Sequence, residues 1–303
     1  MLQRWSALWL RHYKANTIFN LTNKTRTDGQ KQQIVKEIKH LCSLTSQNKV
    51  ATRAGVSSAT ISQMINENWN LIKDEMWQKV LVKLKIELNW NTANTANFDY
   101  IHKHLIQAKQ QSLSFGISDK AGAGKSECYK NFAKAYPNVI HIECMTFWKQ
   151  KSFAKALNTA CGLDDFGTTE DLIERFMDHV SGLNAPFLIL DQLDKLKDAS
   201  LDLFIDFFNN LPNCGFLLSG TPALEKRFKR GVNNDRSGYH ECWSRIGRKW
   251  LKLKPATLED IKAICVANGI TDEDTIEGIF DNCEDDMRRV KKDVQKQFLK
   301  KAA

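Results

Sequence analysis

Residues 119–126 read Asp-Lys-Ala-Gly-Ala-Gly-Lys-Ser, and residues 186–191 read Pro-Phe-Leu-Ile-Leu-Asp. The first segment follows a short strand pattern, Leu113 to Ser118, and leads into a helical pattern from Lys125 to Ala135 that Pro137 stops. Strand, glycine-bearing turn and helix start, in that order, build a phosphate cradle. Backbone N–H groups wrap the anion, and the helix N-terminus adds the positive end of its dipole. Gly122, Ala123 and Gly124 would form the wrap, Lys125 would reach the β- and γ-phosphates, and Ser126 would ligate Mg2+. The usual pattern is Gly-x4-Gly-Lys-Ser, and here Asp119 stands where the first glycine is expected. An acid beside phosphates is unfavourable unless it points outward or pairs with Lys120.

The second segment is an apolar strand that ends in a carboxylate. Asp191 would hold Mg2+ mostly through water, so Ser126 and Asp191 form the expected metal pair, with ATP and Mg2+ as cofactors. About 65 residues separate the two, with helices and the strand Val139–Cys144 between them. That spacing predicts an α/β fold with a parallel, doubly wound sheet.

Downstream come a helix from about Ala199 to Asn210, a strand Gly215–Ser219 and the tip Gly220-Thr221-Pro222. Trp243-Ser244-Arg245-Ile246-Gly247-Arg248 follows, then a strand Trp250–Leu253. Three helical stretches close the chain: Leu258–Asn268, Asp272–Asn282 and Asp285–Lys301. This succession resembles the AAA+ ATPases: a P-loop NTPase fold with a parallel sheet and a C-terminal helical lid. The resemblance implies Thr221 as the sensor group at the strand tip, with Ser219 as neighbour candidate. It implies Arg245 as an arginine finger reaching a neighbouring subunit's γ-phosphate, with Arg248 second. Arg288 or Arg289 would be the sensor arginine on the lid.

Gln192 departs from the family pattern, which places Glu directly after the strand-end Asp to polarise the attacking water. A Gln can position water but cannot take its proton. Three explanations fit: an engineered substitution that traps ATP, a naturally slow ATPase, or Asp194 as the base. Tight ATP binding with slow hydrolysis is the expectation.

The amino-terminal third carries a different pattern. Ile34, Val35, Ile38 and Leu41 repeat at helical spacing, and residues 46–65 then read as two short helices about a tight turn. Ala51 would allow close crossing, Gly55 would supply the positive φ, Val56 would anchor the turn, and Ser57 would cap the second helix. Ile61 and Ile65 would face the core. The helical continuation through 66–88 would add Trp69, Leu71, Ile72, Met76, Val80, Leu81 and Leu84. Ser58, Thr60, Ser62 and Gln63 would then face outward, short side chains suited to base edges and phosphates. This all-α segment resembles the helix-turn-helix of the lambda repressor and Cro family.

Residues 1–112 carry a net charge of +9 and the remaining 191 residues a net charge of zero. A basic segment ahead of a neutral one fits a duplex-DNA partner, because neutralised phosphates release counterions. Taken together, residues 30–300 resemble the target-DNA-binding ATPases of phage and transposon transposition. That resemblance implies self-assembly into an ATP-bridged filament or ring on duplex DNA and recruitment of a transposase at the target site. Lys149, Lys151 and Lys155, after the second strand, are the candidate residues gripping that DNA. The rival readings are a helicase loader or replication initiator, an ATP-switched transcriptional repressor, and a nucleotide-binding scaffold without turnover.

The division expected is a basic arm 1–28, a helix-turn-helix domain 29–88, a linker 89–97, an α/β nucleotide domain 98–256 and a lid 257–303. No apolar run approaches the roughly 18–20 residues a membrane span needs. The eight cysteines include no Cys-x-x-Cys pair, which argues against a zinc ribbon or disulfide scaffold and fits a reducing cytoplasm.

Overall fold

The computed structural model describes residues 26–302, apart from Asn89 and Lys249; the basic arm expected over 1–28 lies almost wholly outside them. Five parallel strands form the centre: β1 (Ser114–Ser118), β2 (Val139–Glu143), β3 (Phe187–Asp191), β4 (Gly215–Gly220) and β5 (Trp250–Leu251), in the order β2-β3-β4-β1-β5. Every residue of β3 and β4 is buried. Such strands need apolar side chains on both faces, which is why Phe187-Leu188-Ile189-Leu190 is a continuous run rather than an alternating one.

The two faces are nevertheless distinct. Phe187 and Ile189 join Ile101 and Leu105 of α1 (Ala96–Gln110) and Phe132 of α2 (Lys125–Ala135). Leu188 and Leu190 join the helices on the other face, α3 (Gln150–Cys161), α4 (Thr169–Ser181), α5 (Asp198–Asn210), α6 (Pro222–Asn233) and α7 (Tyr239–Arg245). Successive side chains point to opposite faces of a strand, so one run of sequence serves both cores. From β1 the chain crosses to β2 on one side, and from β4 it crosses to β5 on the other. The loop after β1 therefore lies where the winding reverses, the place where an open parallel sheet leaves a crevice at its carboxyl edge.

Three helices complete the carboxyl-terminal part: α8 (Leu258–Ala267), α9 (Glu273–Cys283) and α10 (Met287–Ala302). Ile261, Ile276, Ile279, Val290 and Val294 form their core, and Trp90 and Ala93 pack against it. Residues 90–95, read as linker from composition, form no helix or strand, yet they are tied down. Asn91 N–H donates to Asn268 Oδ1 at 2.9 Å, Asn268 Nδ2 returns a bond to Asn91 O at 2.9 Å, and Ala96 N–H donates to Asp260 Oδ1 at 2.7 Å.

The amino-terminal bundle comprises α11 (Asp28–Leu44), α12 (Gln47–Ala54), α13 (Ser58–Ile65) and α14 (Asp74–Lys83), which form a separate core. Gly55 adopts φ 66°, ψ 33°, and Ser57 accepts a capping bond from Thr60 N–H. The helical continuation through 66–88 is interrupted: a short 3-10 turn, Trp69–Leu71, precedes α14. Leu71 and Met76, expected in the core, are 69% and 39% exposed. Because α14 starts at Asp74, its inner face falls on Trp77 and Val80, and Met76 is rotated one position outward. In the same way Met64 is buried beside Ile61, and Ile65 packs only partly against the core.

Gly116 fixes how β5 meets β1. A Cβ there would lie 2.4 Å from the Trp250 ring, which is itself almost buried. Gly116→Ala is expected to destabilise the protein by about 1–3 kcal/mol, the usual range for overpacking; chemical denaturation measures it.

Candidate nucleotide site

The loop 119–124 bends through two left-handed residues, Gly122 at φ 89° and Gly124 at φ 82°, and α2 begins at Lys125. A side chain at Gly122 would place its Cβ 2.3 Å from Asp286 Oδ1, so glycine is required by contact as well as by backbone angle. The lid closes on this loop: Met287 N–H donates to Gly122 O at 2.9 Å.

Asp119 needs no left-handed angle, and its carboxylate does structural work away from the cradle. Oδ1 accepts Lys120 N–H at 2.7 Å, and Oδ2 accepts Leu253 N–H at 2.8 Å just beyond β5. The acid thus pairs with the backbone of Lys120, while the Lys120 ammonium reaches Asp285 at 3.3 Å. Lys125 is 8% exposed, and its Nζ donates to the carbonyls of Asp119 and Lys120 at 2.7 Å each. Burial lowers its pKa; Asp191, Asp119 and Asp194 offset part of that.

Ser126 and Asp191 come together across the tip of β4: the Ser126 hydroxyl donates to Asp191 Oδ2 at 2.5 Å. Asp191 Oδ1 accepts Gln192 N–H at 2.9 Å. Burial pushes the Asp191 carboxyl up, but His141, Ser126 and the Gln192 N–H together bring it below its ordinary value. A half-buried hydroxyl and a buried, ionised carboxylate form an all-oxygen pair, the donor chemistry of a hard cation such as Mg2+. The residues fit the group.

Around them is a cavity of about 520 Å3, lined by the loop and also by Trp90, Thr92, Phe98, Thr221, Ile264 and Arg288. The apolar Trp90, Phe98 and Ile264 give it a non-polar wall beside the phosphate cradle. Trp90, Thr92 and Phe98 were missed by sequence reasoning; Trp90 was the available signal, an aromatic residue at the edge of a polar stretch.

Residues 118–228 match the family described as AAA domain. This stretch is similar to an AAA domain. With the five-stranded parallel sheet and the carboxyl-terminal helices, the fold is that of an AAA+ P-loop NTPase. No curated protein matches the chain. Two solved structures show similarity: a Thermotoga maritima RuvB Holliday junction branch migration motor (17% identity, TM-score 0.41, 65% of this chain and 59% of that one) and a lysine-to-arginine mutant of the Thermotoga maritima RuvB (14%, 0.39, 65% and 60%). The chain thus spans about 60% of the length of these structures.

Within the matched stretch, Thr221 lines the cavity, and its hydroxyl donates to Asp194 Oδ2 at 2.8 Å. Asp194 also accepts Thr221 N–H at 3.3 Å, so this acid is anchored to the strand tip. Ser219 is fully buried and accepts the Tyr129 hydroxyl at 2.9 Å, which leaves Thr221 as the polar group presented at the tip. Gln192 sits at φ 58°, ψ 38°, and its Oε1 accepts from Lys195 Nζ.

On the lid, Arg288 faces the cavity and Asp286 holds it through two 3.0 Å bonds, whereas Arg289 pairs with Glu284 at 2.5 Å. Arg245 is not among the cavity residues. It is exposed at the end of α7, bonded to Asn209 Oδ1 at 2.9 Å and 3.7 Å from Glu241. Arg248 is exposed too.

The candidate DNA residues fall in two places. Lys149 and Lys151 are exposed where α3 begins, and Lys155 lies one turn further along. On α13, Ser58 accepts Gln47 Nε2 at 3.1 Å and Thr60 bonds Ser57 at 2.9 Å, so both hydroxyls serve the turn. Ser62 accepts Asn66 Nδ2 at 3.3 Å, and Gln63 is half-buried.

Two outcomes test the site. Lys125→Ala is expected to weaken ATP binding at least about 10-fold, the loss of one charge-assisted contact of about 1.5–3 kcal/mol; titration calorimetry reads it. Gln192→Glu is expected to raise ATP turnover about 10²-fold, the lower range for a general base, with ATP affinity little changed.

Proposed function

We propose that this chain is an ATP-dependent DNA-binding AAA+ ATPase that assembles on duplex DNA and recruits or activates a transposase at the target site. ATP with Mg2+ would occupy the cavity: Gly122, Ala123, Gly124 and Lys125 on the phosphates, Ser126 and Asp191 on the metal. Thr221 and Arg288 would contact the γ-phosphate end, and Gln192 would position water without taking its proton.

The observation that carries the reading is the place of Arg245. It is exposed and outside its own cavity, on the face that α7 presents to solvent. An arginine there is free of its own cavity and would serve the nucleotide of a neighbouring subunit, so ATP would bridge copies of the chain. DNA contact is supported by the concentration of net positive charge in residues 1–112 and by the exposed Lys149 and Lys151. Contacts of that type bind duplexes of any sequence and weaken with salt.

Electron microscopy with random-sequence duplex DNA tests this. ATP-dependent filaments or rings are expected, and Arg245→Ala is expected to abolish them while preserving ATP binding and reducing turnover about 10³-fold. Raising salt from roughly 50 to 200 mM should weaken DNA binding about 10³-fold. Dimers confined to one sequence would overturn the reading in favour of a repressor, and a stoichiometric complex with a hexameric helicase in favour of a loader.

A further inference from the structure

Among the described residues, four buried side-chain polar atoms have no hydrogen-bond partner: Trp77 Nε1, His141 Nε2, Asn158 Oδ1 and Trp250 Nε1. His141 is the one beside the candidate metal pair. It lies in β2, in register with Ile189 of β3, and its side chain is 6% exposed. Its ring meets the Tyr129 ring edge-on, with centroids 6.0 Å apart. Tyr129 is itself fully buried and anchored to Ser219, so the imidazole rests against a fixed wall.

His141 Nε2 stands 3.9 Å from Asp191 Oδ2, the oxygen that also accepts the Ser126 hydroxyl. At that separation there is no hydrogen bond; one requires about 2.7–3.2 Å, an approach of roughly 1 Å. Asp191 has the capacity to accept it, since a carboxylate offers about four lone-pair positions. A buried N–H seldom lacks an acceptor, and here a carboxylate that would turn when it engages a cation stands 3.9 Å away.

We propose that His141 is a positioning residue for Asp191, giving the hydrogen bond from Nε2–H that holds the carboxylate toward the metal-bound nucleotide. The inference rests on the nucleotide reading of the cavity. A neutral imidazole with its proton on Nε2 suffices, so no change of charge is needed. Groups that orient a metal-binding side chain typically alter metal affinity 10–100-fold when removed. His141 contributes this orientation from a strand, where the backbone pairing with β3 leaves it little freedom.

The test uses the full chain and a fluorescent ATP analogue, measured with Mg2+ and in EDTA. His141→Leu is expected to weaken binding with Mg2+ about 10-fold or more and to leave binding in EDTA unchanged. His141→Gln, whose Nε2 is placed much as the imidazole Nε2, should restore most of the Mg2+ effect. Equal losses with and without Mg2+, or no recovery with Gln, would make His141 a packing residue and overturn the proposal. If His141→Leu does not fold, 15N-histidine NMR of the wild-type protein decides. The Nε2–H resonance is expected to move downfield on addition of Mg2+ and nucleotide, and an unmoved resonance overturns the proposal. A wild-type chain that binds the analogue in neither buffer would instead remove the nucleotide reading itself.

Discussion

The bond from the Ser126 hydroxyl to Asp191 ties the first turn of α2, which follows β1, to the end of β3, and those two strands are not neighbours. β4 lies between β1 and β3, so at about 4.8 Å per strand the ends of β1 and β3 are roughly 10 Å apart. The loop after β1 and the first turn of α2 cover that gap, and they do so over the tip of β4. Gly220 ends that strand, and any side chain there would meet Asp194 at 2.5 Å. The site therefore depends on the strand order and on a bare backbone at the β4 tip. Hydrophobic burial on both faces of β3 and β4 holds that order in place.

Charge is arranged around this contact with few loose ends. Asp119 replaces a glycine yet faces the backbone beyond β5. Lys125 is buried near three carboxylates, which offset part of the cost of burying its charge. Asp286 lies close over Gly122 and also holds Arg288, so the lid approaches the loop through an acid neutralised by its own arginine. Without that arginine the acid would oppose any phosphate in the cradle.

The amino-terminal bundle is joined to the α/β part by polar contacts rather than by a shared core. Lys85 pairs with Glu143 at 2.7 Å, Glu37 with Lys134 at 3.6 Å, and His40 Nε2 bonds Lys134 O at 2.7 Å. Gly162 lets α3 approach Lys49 so closely that a Cβ would be 2.7 Å away. The segment between bundle and α1 passes along the cavity, where Thr92 bonds Glu127 at 2.8 Å and Trp90 lies under the Lys291 ammonium. A polar interface of this kind costs little to open, whereas the lid-bound segment is held by paired amide bonds.

Much of the site was legible in the sequence because its chemistry is local. Gly122 to Ser126 lie on one turn and one helix start, and Asp191 is marked by the apolar strand it ends. The parallel sheet and the three closing helices follow from hydrophobic period and spacing. Sequence could not place Asp119, because its partner at Leu253 lies 134 residues away. It read residues 89–97 as a linker from their small polar side chains, whereas Trp90, Asn91 and Ala93 meet the lid. It overran the helix through 66–88, since the start at Asp74 sets which face of α14 is inward. Local pattern determined the loop, the strands and the residue types at the cradle. Only the tertiary structure decided which distant groups meet there, His141 and Trp90 among them, because those contacts depend on strand order and on the lid's approach rather than on any spacing along the chain.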